Sequence, residues 1–218
     1  KAINSLKNDN NITNKQNVLP DAMIRLADCY FMQKQYKSSA QYYDEVIKAN
    51  SQGADYALYQ KSIIDGLGGN YNEKIAGMKA LVARFPNSAF ADDAIMQTGN
   101  TYMAQDKDDL AIEAFKSLFA KNPKSDQVPD AYLKLGLIYF NRDSYDESLS
   151  WYQKVVQFYP STPASNEAML AIKEIYIAKG DPNGYITYAN KYPGSKVTVS
   201  EQDSLIYLSA EKQFFNGS

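Results

Sequence analysis

Apolar and polar residues along this chain follow a helical period, and the same pair of helices is predicted several times. The clearest pair lies in residues 125–160. Four residues of its first helix share one side because they lie three or four positions apart: Tyr132, Leu135, Gly136 and Tyr139. The second helix has Ser148 and Tyr152 on its packing side and ends at Pro160. We expect Gly136 to let a neighbouring helix approach closely.

These landmarks recur in phase along the chain. The alanine before the first aromatic position is found at intervals of 35, 37, 37 and 37 residues: Ala22, Ala57, Ala94, Ala131 and Ala168. Three prolines that end second helices are also 37 residues apart: Pro86, Pro123 and Pro160. Two positions after each proline there is a hydroxyl residue that can cap the next helix: Ser88, Ser125 and Thr162. The chain is therefore predicted to be an array of helical repeats.

The predicted helices alternate with turns that contain Gly, Asn, Asp or Pro. The helix pairs are 20–33 with 36–49, 54–66 with 71–85, 88–104 with 108–122, 125–141 with 144–159, and 164–179 with 183–191, followed by one helix at 199–215. No stretch alternates with period two for long enough to indicate a sheet. The prediction is thus one all-α domain spanning residues 1–218.

Within that domain, residues 1–19 are expected to hold the end of a preceding helix and an Asn-rich loop. Five repeats follow, of which the last is shortened: 20–53, 54–87, 88–124, 125–161 and 162–197. Residues 198–218 are expected to form the first helix of a truncated repeat. We therefore expect partial units at both ends of a longer array.

Composition narrows the possible functions. Of the 218 residues, 44% are hydrophobic and 22% charged, which is typical of a folded chain and argues against disorder. The net charge of −2 gives no basic surface, so nucleic acid is not an expected partner. The longest apolar stretches, such as residues 135–140, are too short to span a bilayer, so no membrane-spanning segment is predicted.

Candidate catalytic chemistry is sparse. The sequence has no histidine, which removes imidazole as base, proton shuttle or metal ligand. The lone cysteine, Cys29, excludes an intrachain disulfide, and we expect it to be buried because equivalent positions are mostly isoleucine. The acidic run of Asp106, Asp108 and Asp109 lacks the glycine and distal glutamate of a calcium loop, and residues 66–69 lack the features of a phosphate loop. We predict no catalytic, cofactor-binding or metal-binding residue, and therefore no enzyme.

The Tyr-x-x-Leu-Gly-x-x-Tyr pattern of residues 132–139 resembles the tetratricopeptide repeat, with Tyr132 where the consensus has Trp. The resemblance covers nearly the whole chain. It implies a right-handed α-solenoid of about five helical hairpins with partial units at both ends. The usual repeat has about 34 residues, so we expect the three additional residues to lengthen the first helix or the link between repeats.

A narrower resemblance concerns the cell envelope. The Pro-x-Ser/Thr links are similar to those of outer-membrane assembly lipoproteins and of the periplasmic coordinator that works with the Tol–Pal system. Segments such as RLADCYF at 25–31 and EQDSLIYLSAE at 201–211 resemble long tetratricopeptide proteins of Bacteroidetes. This likeness implies a periplasmic or outer-membrane-associated location and contact with other envelope proteins.

In tetratricopeptide proteins, the first helices line a concave groove that holds partner peptides. Carried over position by position, the resemblance implies these groove residues: Arg25, Asp28, Tyr56, Tyr59, Gln60, Met96, Gln97, Asn100, Met103, Leu133, Lys134, Leu137, Phe140 and Asn141. Methionine and aromatic side chains suit the binding of an apolar segment. The expected function is a non-catalytic scaffold that binds a protein or peptide partner along this groove.

Two alternatives remain open from the sequence. One is a carbohydrate-binding helical repeat, which would need exposed, coplanar Tyr56 and Tyr59 beside amide side chains. The other is a structural spacer whose self-association depends on Leu205 and Leu208.

Overall fold

The structure is a computed structural model that describes residues 15–192 and 196–216. Eleven α-helices and no strand lie in these two ranges. The helices are α1 Lys15–Met32, α2 Tyr36–Lys48, α3 Ala54–Leu67, α4 Tyr71–Arg84, α5 Ala91–Met103, α6 Asp108–Lys121, α7 Val128–Asn141, α8 Tyr145–Phe158, α9 Pro163–Ala178, α10 Pro182–Ala189 and α11 Val199–Asn216. The predicted all-α fold class is confirmed, and each predicted hairpin has its two helices.

The helices fall into two compact units, residues 1–122 and residues 123–218. In the first unit, α1 packs on α2, α3 on α4 and α5 on α6, and α2 and α4 each also pack on the helix that follows. In the second unit, α7 packs on α8 and α8 on α9, while α9, α10 and α11 contact one another. The prediction of a single domain over the whole chain stays a prediction.

Three helix starts differ by three or more residues from those predicted. α1 begins at Lys15, five residues before the expected start, so residues 15–19 are helical and not part of a loop. Most of that expected loop, residues 1–14, lies outside the described residues. α5 and α7 each begin three residues later than predicted. Consequently, the additional residues before α5 and α7 lie in the links 85–90 and 122–127.

The hydroxyl residues explain where these helices start. The backbone N–H of Phe90 donates to Oγ of Ser88 over 3.1 Å, which closes a turn before α5. Ser125 is used in the same way before α7. Thr162 alone behaves as predicted, because its Oγ1 accepts a hydrogen bond from the N–H of Ser165 over 3.1 Å and caps α9.

Close packing within the hairpins depends on small residues. A Cβ atom placed on Gly136 would lie 2.7 Å from the ring of Tyr152, so the expected close approach at Gly136 is confirmed. Buried serines add hydrogen bonds between paired helices. Oγ of Ser148 donates to the carbonyl of Gly136 over 2.7 Å, and Oγ of Ser39 donates to the carbonyl of Ala27 over 2.8 Å.

The prediction for Cys29 was wrong, because its side chain is exposed. The equivalent Ile64 on α3 is buried in a cluster that includes residues of the first hairpin, such as Ala27 and Tyr43. Within the described residues, no hairpin precedes α1, so nothing comparable covers Cys29.

Candidate functional site

The first helices of each hairpin carry most of the predicted groove residues. We use the term first-helix face for the surface formed by α1, α3 and α5 in the first unit, and by α7, α9 and α11 in the second. Each unit is described separately.

Asp28 joins three helices of the first unit. Its Oδ1 accepts hydrogen bonds from the hydroxyl of Tyr56 on α3, over 2.9 Å, and from the hydroxyl of Tyr43 on α2. Burial raises the pKa of both tyrosines, and the nearby Asp28 carboxylate raises it further, so both hydroxyls keep the protons that they donate. Asp28 therefore fixes the spacing of α1 and α3 on the first-helix face.

Tyr56 and Tyr59 do not form the exposed pair that carbohydrate binding would need. Both are half-buried, and each ring centroid lies 5.5 Å from that of Phe90. The ring of Tyr59 is tilted by 29° from Phe90 and that of Tyr56 by 53°. Their common role is packing on Phe90 at the start of α5, beside the half-buried Gln60.

A lysine that the sequence patterns did not single out reaches this face from α4. Nζ of Lys74 donates to Oε1 of Gln97 on α5 over 2.8 Å. The stem of Lys74 crosses Gly66, where a Cβ would lie 2.7 Å from Cδ of the lysine. Burial lowers the pKa of the Lys74 ammonium. The sequence did contain one signal that could have identified Lys74. It occupies the repeat position that Ser39 and Ser148 occupy in other hairpins, so it departs from the pattern of small residues there.

The remaining predicted groove residues of the first unit vary in exposure. Arg25 is exposed and forms an ion pair with Asp21, one turn away on α1. Asn100 and Met103 are half-buried. Met96 is only 6% exposed, so its side chain belongs to the packed interior. We therefore no longer count it among the groove residues.

On the second unit, α7 divides its apolar residues between core and solvent. Leu135 and Ile138 are buried, and so is Leu133, which is 6% exposed and packs in a cluster with Tyr152. We therefore no longer count Leu133 among the groove residues either. Leu137, in contrast, is 37% exposed.

The neighbours of Leu137 complete this surface. Lys134 is half-buried and Asn141 is exposed. Phe140 is half-buried and packs against the core of the second unit, with its ring centroid 5.8 Å from that of Tyr145. On the adjacent first helix, α9, Leu170 is 67% exposed. The second unit thus has two solvent-exposed leucines on consecutive first helices.

The final helix also has exposed apolar side chains, including Leu208, Phe214 and Phe215. Leu205 is buried within the second unit. Self-association that depends on Leu205 would therefore require unpacking α11, and only Leu208 of that predicted pair is at the surface.

Residues with other potential chemistry lie in turns and helix starts. Asp108 and Asp109 lie in the first turn of α6, where a carboxylate interacts favourably with the helix dipole. Gly69 has a φ of +77° and forms part of the turn between α3 and α4. Across residues 15–192 and 196–216, no three His, Cys, Asp or Glu side chains are grouped to hold a metal ion. None of the helices described here has the length and apolarity needed to cross a membrane.

Comparison with known families identifies the repeats. Residues 21–52 and 96–163 each match a sequence profile of the tetratricopeptide repeat family, so these segments carry tetratricopeptide repeats. No curated protein sequence matches the chain.

Similar folds occur among solved structures. The crystal structure of MamA has 21% sequence identity and a TM-score of 0.57, and the match covers 88% of this chain and 96% of MamA. A tetratricopeptide repeat protein from Parabacteroides merdae ATCC 43184 has 13% identity and a TM-score of 0.65, covering 91% of this chain and 73% of that one. YrrB, described as a TPR protein with an unusual peptide-binding site, has 15% identity and a TM-score of 0.57, covering 92% and 94%. At these identities the similarity is one of fold, and it confirms the tetratricopeptide-type α-solenoid.

Proposed function

We propose that this chain is a non-catalytic scaffold and binds a segment of a partner protein on its first-helix face. The proposal starts from the tetratricopeptide repeats in the chain. YrrB, which shares the fold, is described as having a peptide-binding site. Repeat arrays present extended surfaces of this kind, on which a partner can contact several hairpins at once.

The observation that carries the proposal is the exposure of Leu137. Its helix buries Leu135 and Ile138 almost completely, yet it leaves Leu137 in solvent. Scattered exposed leucines are normal in soluble proteins. Here, however, a second exposed leucine, Leu170, lies on the next first helix of the same unit, and polar Lys134 and Asn141 flank Leu137 on α7.

This arrangement favours a partner segment with apolar side chains spaced along it and polar groups between them. Complete burial of an exposed leucine side chain contributes about 1.5–3 kcal/mol. Leu137 is 37% exposed and Leu170 67%, so covering both contributes about as much as the complete burial of one leucine. The proposed location is periplasmic or associated with the outer membrane. It is supported by the Pro-x-Ser/Thr links, which resemble those of envelope tetratricopeptide proteins.

Affinity capture with matched variants tests the proposal. The wild-type chain, Leu137→Asp and Leu110→Asp are each incubated with separate envelope and soluble fractions of the source cell. Leu110 on α6 is 41% exposed, so it controls for the loss of a similarly exposed leucine on a second helix. Helical circular dichroism verifies that all three chains fold.

A partner retained by the wild type and Leu110→Asp, and lost by Leu137→Asp, is the expected result. Equal capture by all three chains would place the contact elsewhere and overturn the first-helix assignment. A partner found in the soluble fraction and missing from the envelope fraction would overturn the proposed location.

A further inference from the structure

A second surface of the first unit lies between two second helices. It includes α5, but none of the residues predicted to line the groove. An open cavity of about 230 Å³ lies between α4 and α6, with α5 as its floor. We call it the second-helix slot and define it by Val82 and Ala83 on α4, Ile95 on α5, and Ala114 and Ser117 on α6.

The slot exists because small residues face each other across it. Ala83 on α4 and Ala114 and Ser117 on α6 leave space that longer side chains would fill. The hydroxyls in its wall are already satisfied within their own helices. Oγ of Ser117 donates to the carbonyl of Ala114 over 2.7 Å, and Oγ1 of Thr98 donates to the carbonyl of Ala94 over 2.8 Å. The slot therefore presents mainly carbon to a ligand.

The slot continues into a larger groove. A neighbouring cavity of about 600 Å³ shares Val82, Ile95 and Lys121 with it and extends to the link at residues 86–88. An apolar depression that opens into a longer groove is the shape that an amphipathic helix or extended segment occupies in many complexes.

Two lysines give this groove its charge. Lys79 is held in place, because its Nζ donates to the hydroxyl of Tyr102 over 2.9 Å and lies 5.2 Å from the centroid of that ring. Lys121 has no hydrogen-bond or ion-pair partner among the described residues. The carboxylate that lines the groove, Asp92, already accepts a hydrogen bond from Nδ2 of Asn122 over 2.8 Å.

Helix capping alone does not account for both cations. Lys121 lies in the last turn of α6, where a positive charge interacts favourably with the helix dipole. Lys79 lies in the interior of α4, where this effect is small. What the two lysines share is the wall of the slot.

We propose that the second-helix slot binds an acidic amphipathic helix of a partner protein, with one large apolar side chain in the slot and carboxylates beside Lys79 and Lys121. An apolar side chain held in a pocket, with polar and charged groups at the rim, is the usual arrangement of a protein interface. This site is distinct from the first-helix face and does not depend on the function proposed for it.

Selection of random phage-displayed peptides on the wild-type chain provides the test. Selected peptides are synthesised and their affinities measured against two pairs of variants. Ala83→Trp fills the slot, while Ala76→Trp places the same bulk at an exposed position elsewhere on α4. Lys121→Glu reverses a slot charge, while Lys37→Glu reverses an exposed charge on α2.

The expected result is a family of acidic peptides with apolar residues three or four positions apart. Their binding should weaken about tenfold with Ala83→Trp and with Lys121→Glu, and remain unchanged with both controls and with Leu137→Asp. Failure to recover any peptide sensitive to Ala83→Trp would overturn the proposal. So would slot-dependent peptides that are basic, slot-dependent binding of palmitate, or self-association abolished by Ala83→Trp, each of which would assign the slot a different occupant.

Discussion

The hydroxyl of Tyr56 on α3 donates a hydrogen bond to the carboxylate of Asp28 on α1 over 2.9 Å. Replacing Tyr56 with Phe removes this bond and leaves the ring in place. Hydrogen bonds to charged groups contribute about 1.5–3 kcal/mol, and we expect a loss near the lower value because the site is half-buried. Urea unfolding followed by circular dichroism measures the change. Tyr71→Phe is the control, since Tyr71 is exposed, and equal effects of the two substitutions would contradict the assignment.

Gly136 is predicted to be intolerant of a side chain. Gly136→Ala places a Cβ 2.7 Å from the ring of Tyr152, which must shift. Overpacking of this kind costs about 1–3 kcal/mol, against about 1 kcal/mol gained in helix propensity. The clash can be isolated with a double-mutant cycle. Gly136→Ala should be less destabilising in a Tyr152→Leu background, and an unchanged cost there would exclude the clash as its cause.

Stability should fall at alkaline pH through Tyr152. Burial, with a smaller effect from Glu167, raises the pKa of Tyr152 to about 12. An unfolded tyrosine titrates near pH 10, so the folded state binds this proton more tightly. The resulting stability is fully present below pH 10 and is lost as the pH rises through about 12. We expect the urea midpoint of Tyr152→Phe to vary less over this range than that of the wild type. Parallel curves for the two chains would refute the prediction.

Lys74 is predicted to limit stability. Its half-buried ammonium has the neutral amide of Gln97 as its hydrogen-bond acceptor, and burial lowers its pKa. Lys74→Met keeps the length of the stem and removes the desolvated charge, so we expect the free energy of unfolding to rise by about 0.5–1 kcal/mol at pH 7. Lys37→Met, at an exposed position, should leave it unchanged. Destabilisation by Lys74→Met would show that the bond to Gln97 outweighs the desolvation.

The sequence predicted features that depend on nearby residues or on a repeated position. Turn residues and prolines located every hairpin, and Gly136 was assigned to close packing because the repeat places a small residue there. Ser88 and Ser125 were assigned to helix caps, but a hydroxyl two residues after proline can also close a turn, and here it does. Whether such a hydroxyl caps a helix or closes a turn depends on the local backbone geometry. The residue types proline and serine do not determine that geometry alone.

Features that depend on distant residues could not be predicted in this way. Lys74 and Gln97 lie 23 residues apart on different helices, and no repeat position pairs them. The second-helix slot arises from missing side-chain volume on α4 and α6, which the sequence shows only as alanine and serine. Cys29 was assigned to the core because the equivalent residues of other repeats are mostly isoleucine. Burial of a side chain at this position, as at Ile64, depends on contact with a neighbouring hairpin.

The exposed position of Cys29 makes this chain convenient for spectroscopy. Because the chain has one cysteine and its thiol reaches solvent, a maleimide fluorophore or spin label attaches at a single position without any substitution. The label would lie on α1 next to Asp28, whose carboxylate joins three helices of the first unit. Its emission or line shape would therefore report local opening of the first hairpin separately from unfolding of the rest of the chain.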